Sequence, residues 1–169
     1  MIADSNPPTD ALIADYLRGP DKLAALIAPM ANELLQFRPG AQRWTIHEIL
    51  LHLVDVELTM SLRIRKILAE DRPTLPTLDQ NAWATRLHYH ERQWRRGLQD
   101  LRRLREGNIE ILRHLNAADW AREGVHPERG VITVRQIVDA SIEHLDRHAM
   151  QIQENQRLFE QSAQGVTNV

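Results

Sequence analysis

Two histidines, His144 and His148, stand four residues apart in a stretch of helical period near the end of the chain. That spacing stacks both imidazoles on one helix face. One metal ion can then be held at about 2.0–2.1 Å from each ring. The same face carries Val134, Ile137, Val138, Ser141 and Ile152, so the rings point toward a core. Inward imidazoles need a partner, because an unpaired buried polar group costs free energy. Spacing alone leaves two partners open: a metal, or hydrogen bonds and water at the edge of a bundle. A third ligand has to come from another helix. His52 is the best candidate, because it interrupts the apolar run from Ile49 to Val54. His47 lies about 140° away around the same helix at 100° per residue, and is expected to be solvated. Glu48 and Asp55 lie about one turn to either side of His52, and either could orient its ring. Glu48 is also the one weak choice for a general base. The plainer reading gives Glu48 to a helix cap and Asp55 to solvent.

Other chemistries fit less well. Leu145 stands where a His-Glu-x-x-His motif needs its glutamate. A di-iron carboxylate site needs Glu-x-x-His pairs, and Glu48 and His52 are four apart. The chain has no cysteine, which excludes disulfides and a cysteine nucleophile. It has no glycine-rich phosphate loop and no Gly-x-Ser-x-Gly elbow. Arg92, Arg95, Arg96, Arg102, Arg103 and Arg105 form a basic stretch, but acidic residues interrupt it, and it reads as a solvated helix face. Lys and Arg number 21 against 23 Asp and Glu, giving a formal charge of -2 and no general attraction to nucleic acid or acidic membranes. No apolar run approaches a membrane span. Met1 to Pro8 lacks the basic and apolar parts of a signal peptide, so the expected compartment is the cytoplasm.

The elements that must position these residues are helices. Apolar residues recur three and four apart between breaks at Gly and Pro, and no stretch alternates long enough to argue a strand. The first helix starts after Thr9 or Asp10, with Leu12, Ile13, Tyr16, Leu17, Leu23, Leu26 and Ile27 inward. Gly19-Pro20 is expected to kink or restart it. A second helix spans about Thr45 to Glu70, opened by a capping box of Thr45 and Glu48. Its stripe is Ile46, Ile49, Leu53, Val56, Met60, Ile64 and Ile67. Thr74 to Gln80 reads as a proline-containing loop. A third helix covers about Gln93 to Leu115, with Leu98, Leu101, Leu104, Ile111, Leu112 and Leu115 inward. Asn116 to Ile132 is a long connection. The fourth helix runs from about Thr133 to Glu160, and the tail after Gln161 is expected to fray. Trp44, Trp83, Trp94 and Trp120 are core or loop anchors. At 169 residues, the chain suits one domain and an all-α four-helix bundle.

Arg38-Pro39 and the run Trp44-Thr45-Ile46-His47-Glu48-Ile49-Leu50-Leu51-His52-Leu53-Val54-Asp55-Val56-Glu57 resemble the N-terminal signature of the DinB/YfiT-like superfamily. Leu78 to Trp83, and Trp120 with His126-Pro127-Glu128-Arg129-Gly130 and Thr133-Val134, are similar to its loops. His144-Leu145-Asp146-Arg147-His148-Ala149-Met150-Gln151-Ile152 is similar to its closing His-x-x-x-His-x-x-Gln-Ile pattern. The resemblance covers about residues 10–160 in order. It implies a four-helix bundle, commonly a homodimer, with one divalent metal on three histidines; imidazole ligation itself accepts zinc, nickel, iron or manganese without choosing among them. Those ligands fall on His52, His144 and His148. Two rim positions depart from the pattern, Arg147 and Ala140, where many members carry further histidines. The resemblance implies a small-molecule substrate and one of two chemistries. One is metal-dependent hydrolysis with activated water; the other is S-transfer from a bacillithiol- or mycothiol-type thiol. A non-catalytic metal- or ligand-binding dimer is the alternative from another class.

Overall fold

The computed structural model describes residues 7–166. Residues 1–6 and 167–169, and with them most of the segment read for a targeting signal, lie outside the described residues. Four long helices dominate: α1 (Pro7–Ile27), α3 (Ile46–Ala69), α5 (Trp94–Leu112) and α7 (Val134–Val166). Between them lie the short helices α2 (Asn32–Gln36), α4 (Gln80–Arg86) and α6 (Ala117–Trp120), a 3-10 turn at Tyr89–Glu91, and a hairpin of β1 (Glu123–His126) and β2 (Gly130–Thr133). Both α1 and α3 pack against α5 and α7. The order around the bundle is therefore α1, α5, α3, α7, and the connections from α1 to α3 and from α5 to α7 cross it diagonally. No helix among the described residues is long and apolar enough to cross a membrane.

The start of α3 follows from its sequence. Thr45 Oγ1 accepts the Glu48 N–H at 3.1 Å, and Glu48 Oε2 accepts the Thr45 N–H at 2.9 Å. This is the expected capping box, and it satisfies two backbone donors that the first turn would otherwise leave unpaired. Every residue from Ile46 to Asp55 is buried, because other elements cover this end of the helix on all sides. His47 is therefore not solvated as expected. Its Nε2 donates to the Arg92 carbonyl at 2.7 Å, and its Nδ1 accepts from Gln36 Nε2 at 2.7 Å. Helical phase placed it away from His52 correctly, but phase does not reveal that α2 and the turn before α5 cover that side.

Several other expectations shift. Pro20 lies inside one continuous α1, and the helix begins at Pro7, where a first-turn proline needs no donor. The connection after α5 holds a hairpin, with Glu123 opposite Thr133 and His126 opposite Gly130. Strands of four residues are too short for alternation to announce them. Asp79 caps α4 through the Ala82 N–H at 3.0 Å, in a segment read as loop. At the other end, α7 stays helical to Val166, past the expected fray at Gln161.

The largest correction is Arg105, which is 1% exposed rather than solvated. Its Nε donates to Glu57 Oε2 at 2.9 Å, Nη1 to the Tyr16 carbonyl at 2.7 Å and Nη2 to the Ser141 carbonyl at 3.1 Å. Tyr16 donates its hydroxyl to Glu57 Oε1, and Asn108 Nδ2 donates to the Tyr16 oxygen at 2.7 Å. One guanidinium thus ties α1, α3, α5 and α7 together at the centre of the bundle. Gly19 makes room for it: an added Cβ would collide with the Arg105 guanidinium and come within 2.9 Å of Leu145. A buried ion pair is most costly when one partner is lost and the other stays charged. Arg105→Ala is therefore expected to lower stability by about 3–5 kcal/mol. Arg103→Ala, on the exposed face of the same helix, should change it by less than about 0.5 kcal/mol. Urea denaturation of both variants measures the difference.

Candidate metal centre

The three histidines named from sequence meet at one point. α3 supplies His52; α7, packed beside it, supplies His144 and His148. His144 Nε2 lies 3.3 Å from His52 Nε2 and 3.3 Å from His148 Nε2. The three ligand atoms all fall within 4.8 Å of one another. His52 is fully buried, and the other two are half-buried.

Proton bookkeeping shows what this cluster lacks. His148 Nδ1 faces Gln151 Oε1 at 2.8 Å. An amide oxygen only accepts, so Nδ1 carries the proton and Nε2 presents a bare lone pair to the centre. His144 Nε2 faces two ring nitrogens but can carry at most one hydrogen. His52 Nδ1 is buried with no hydrogen-bond partner. Three nitrogens at these separations match a divalent cation in size and chemistry. The donor set therefore fits the group. Imidazole ligation suits zinc, nickel and iron, and does not choose among them.

The surroundings keep the rings neutral, as ligation requires. Burial, and then the neighbouring histidines, push His52 down to about 3. Burial, then His148, Arg147, Arg129 and Arg105, push His144 down to about 3. His148 is lowered chiefly by burial, against a raising contribution from its bond to Gln151. Trp44 packs on the His52 ring, centroids 4.7 Å apart, and the Trp44 carbonyl accepts from Asn155 Nδ2 on α7 at 3.0 Å.

Glu48 and Asp55 do not orient the His52 ring, contrary to one sequence reading. The two Glu48 oxygens accept from Thr45 and from Arg38 Nη2, the latter at 2.6 Å. Asp55 Oδ2 accepts from Arg92 Nη1 at 3.0 Å. Both carboxylates are committed elsewhere, and the unpartnered Nδ1 of His52 agrees with that. The residue that does orient a ring is Gln151, one turn past His148. The closing pattern contains it, but sequence reasoning gave it no role; its position three residues after a candidate ligand was the available signal.

A cavity of about 220 Å³ opens on one side of the cluster. His52 and His144 line it, with Val56, Met60 and Arg63 of α3, His126 and Arg129 of the hairpin, and Arg147 of α7. Burial first, then Arg63 and Arg129, lower the pKa of His126.

Comparison with known proteins agrees with this architecture. The chain belongs to the DinB superfamily, whose family model matches residues 15–152. A relative from Halalkalibacterium halodurans, named "putative metal-dependent hydrolase", is 26% identical over 135 residues, covering 80% of this chain and 78% of that one. YfiT of Bacillus subtilis, with the same descriptive name, is 25% identical over 141 residues, covering 82% and 78%. The solved structure of YfiT is described as a probable metal-dependent hydrolase with an unusual four-helix bundle topology. It superposes with a TM-score of 0.85 at 22% identity, covering 95% of this chain and 92% of that one. At that identity the structural likeness shows the fold, a four-helix bundle.

The depressed histidine pKa values carry a stability consequence. In the unfolded chain these rings bind protons near 6.5, whereas in the fold two of them hold off until about 3. Below pH 6.5 the unfolded state binds more protons, so stability falls as pH falls, and keeps falling toward about pH 3. Metal-free protein should therefore lose thermal stability on acidification through this window. His52→Asn should flatten the dependence, as read by melting temperature against pH.

Proposed function

We propose that this protein is a metal-dependent hydrolase of small molecules, with one divalent ion held by His52, His144 and His148. The observation that carries the reading is the convergence of three neutral Nε2 atoms beside an open cavity. Three protein ligands leave a coordination position free, which distinguishes catalytic from structural sites. When bound, such an ion supplies Lewis acidity, polarising a substrate oxygen or lowering the proton affinity of water or of a thiol.

The chain's own residues define the rest. Gln151 holds His148 in the tautomer whose Nε2 faces the centre, and Trp44 packs against the His52 ring. The α3 and α7 backbones fix the spacing of the three rings before any ion arrives, so little ordering remains to be done on binding. His126 stands at the cavity wall with its pKa lowered, but both its ring nitrogens face donors, Glu128 N–H at Nδ1 and Arg63 Nη2 at Nε2. Glu48, the base suggested by sequence, is tied to the cap and to Arg38.

Untagged protein should purify with close to one divalent ion per chain by elemental analysis, and His144→Ala should lose it while keeping its helical circular dichroism. Gln151→Leu should retain the site with about 10–100-fold weaker metal affinity. Metal-loaded protein should hydrolyse members of an ester and amide panel, and metal-free protein should not. Turnover that appears only with an added low-molecular-weight thiol would assign S-transfer instead. Stoichiometric metal with no turnover in either assay would leave a binding module.

A further inference from the structure

The cavity beside the histidines contains a buried cation with no anion. Arg63, 6% exposed, sits on α3. Its Nε and Nη2 donate to the Pro76 carbonyl at 3.0 and 2.6 Å, and Nη1 approaches Met60 Sδ at 3.4 Å. Nη2 also lies 3.2 Å from His126 Nε2. Among the described residues, no carboxylate forms an ion pair with it. Glu128 attracts it at longer range, and Arg129 opposes that.

Its one nitrogen partner is itself contested. The Glu128 N–H points at His126 Nδ1 at 3.2 Å, while Arg63 points at Nε2. A neutral imidazole carries a proton on one nitrogen, so only one of these contacts is a hydrogen bond. If Nδ1 accepts, an Arg63 donor faces another N–H. Buried charges are normally paired, because taking an ion out of water costs several kcal/mol. Arg105, the other deeply buried arginine, has Glu57. Arg63 has only neutral acceptors and an open cavity.

Two more arginines line that cavity, Arg129 from the hairpin and Arg147 from α7. Both are exposed, and neither is in an ion pair among the described residues. Glu128 and Glu143 line it too, so the arginines outnumber the carboxylates three to two. Eleven residues separate His52 from Arg63, about 16 Å along the helix axis. Arg63 and His52 thus come from different turns of α3, and with His144 of α7 they line one shared cavity.

We infer that Arg63 binds an oxyanion of the substrate, a carboxylate or a phosphate, in the same cavity that His52 and His144 line. The substrate is then a small acid, its scissile or electrophilic part at the histidines and its anionic part at Arg63. Arg129 and Arg147 draw it in from the rim. The cavity is smaller than the roughly 300–1,000 Å³ of drug-sized sites, which suits a compact metabolite. The orientation rests on the function proposed above; the anion site does not need the metal, and so can be tested without it.

The test is calorimetric titration of metal-free wild-type protein at constant ionic strength with three probes: inorganic phosphate, glutarate and the neutral glutaramide. Saturable binding of phosphate or glutarate, but not of glutaramide, is expected, and the tighter of the two identifies the acid. Arg63→Gln should weaken it about tenfold or more, and Arg129→Gln, an exposed change that leaves packing intact, about threefold. Arg103→Gln, on a remote surface, should leave it unchanged. Absence of saturable anion binding to wild type overturns the inference, as does unchanged binding by folded Arg63→Gln; if that variant fails to fold, equal binding by the Arg129 and Arg103 variants overturns it. Should anion binding hold while elemental analysis finds no stoichiometric metal, the hydrolase reading fails and the anion site stands; the reverse outcome does the opposite.

Discussion

The site depends on one electrostatic constraint: three imidazole nitrogens crowd together inside a bundle without enough protons to satisfy one another. The Nε2 of His144 faces two others at 3.3 Å, and the Nε2 of His148 is stripped of its hydrogen by the bond from Nδ1 to Gln151. Such an arrangement costs free energy in an empty protein, and a cation converts that cost into binding. The fold carries the cost because the rest of its interior is over-determined. The Glu57–Arg105 pair and its bonds to Tyr16, Asn108 and Ser141 lock the four long helices at the centre. The capping box fixes where α3 begins, and hence the phase of His52.

The charge distribution divides the interior into two regimes. At the centre of the bundle, a buried arginine meets its carboxylate and is structural. Along the cavity, Arg63 is also buried but meets only a carbonyl, a sulfur and a contested imidazole. The same residue type thus marks stability in one place and recognition in another, and the difference is the presence of an acidic partner.

Much of this was legible in the sequence. The i, i+4 spacing of His144 and His148, and the polar interruption at His52, sufficed to choose the three residues that the fold brings together. The four helices followed from apolar period and from punctuation by Gly and Pro. What stayed hidden was whatever depends on a partner from elsewhere in the chain. Arg105 reads as surface until Glu57 is known to face it, and His47 reads as solvated until α2 and the Arg92 carbonyl cover it. The hairpin was missed because each strand has four residues. Arg63 is invisible in the sequence, because an arginine on a helix is ordinary until its burial and its lack of an acid are both known.

X-ray absorption at the metal edge of the loaded protein tests the central claim most directly. The account requires a first shell containing three imidazoles, with nitrogen at about 2.0–2.1 Å if the ion is zinc and with the outer-ring scattering that imidazole produces. A shell dominated by carboxylate or water oxygen, or one with fewer than three imidazoles, would contradict it.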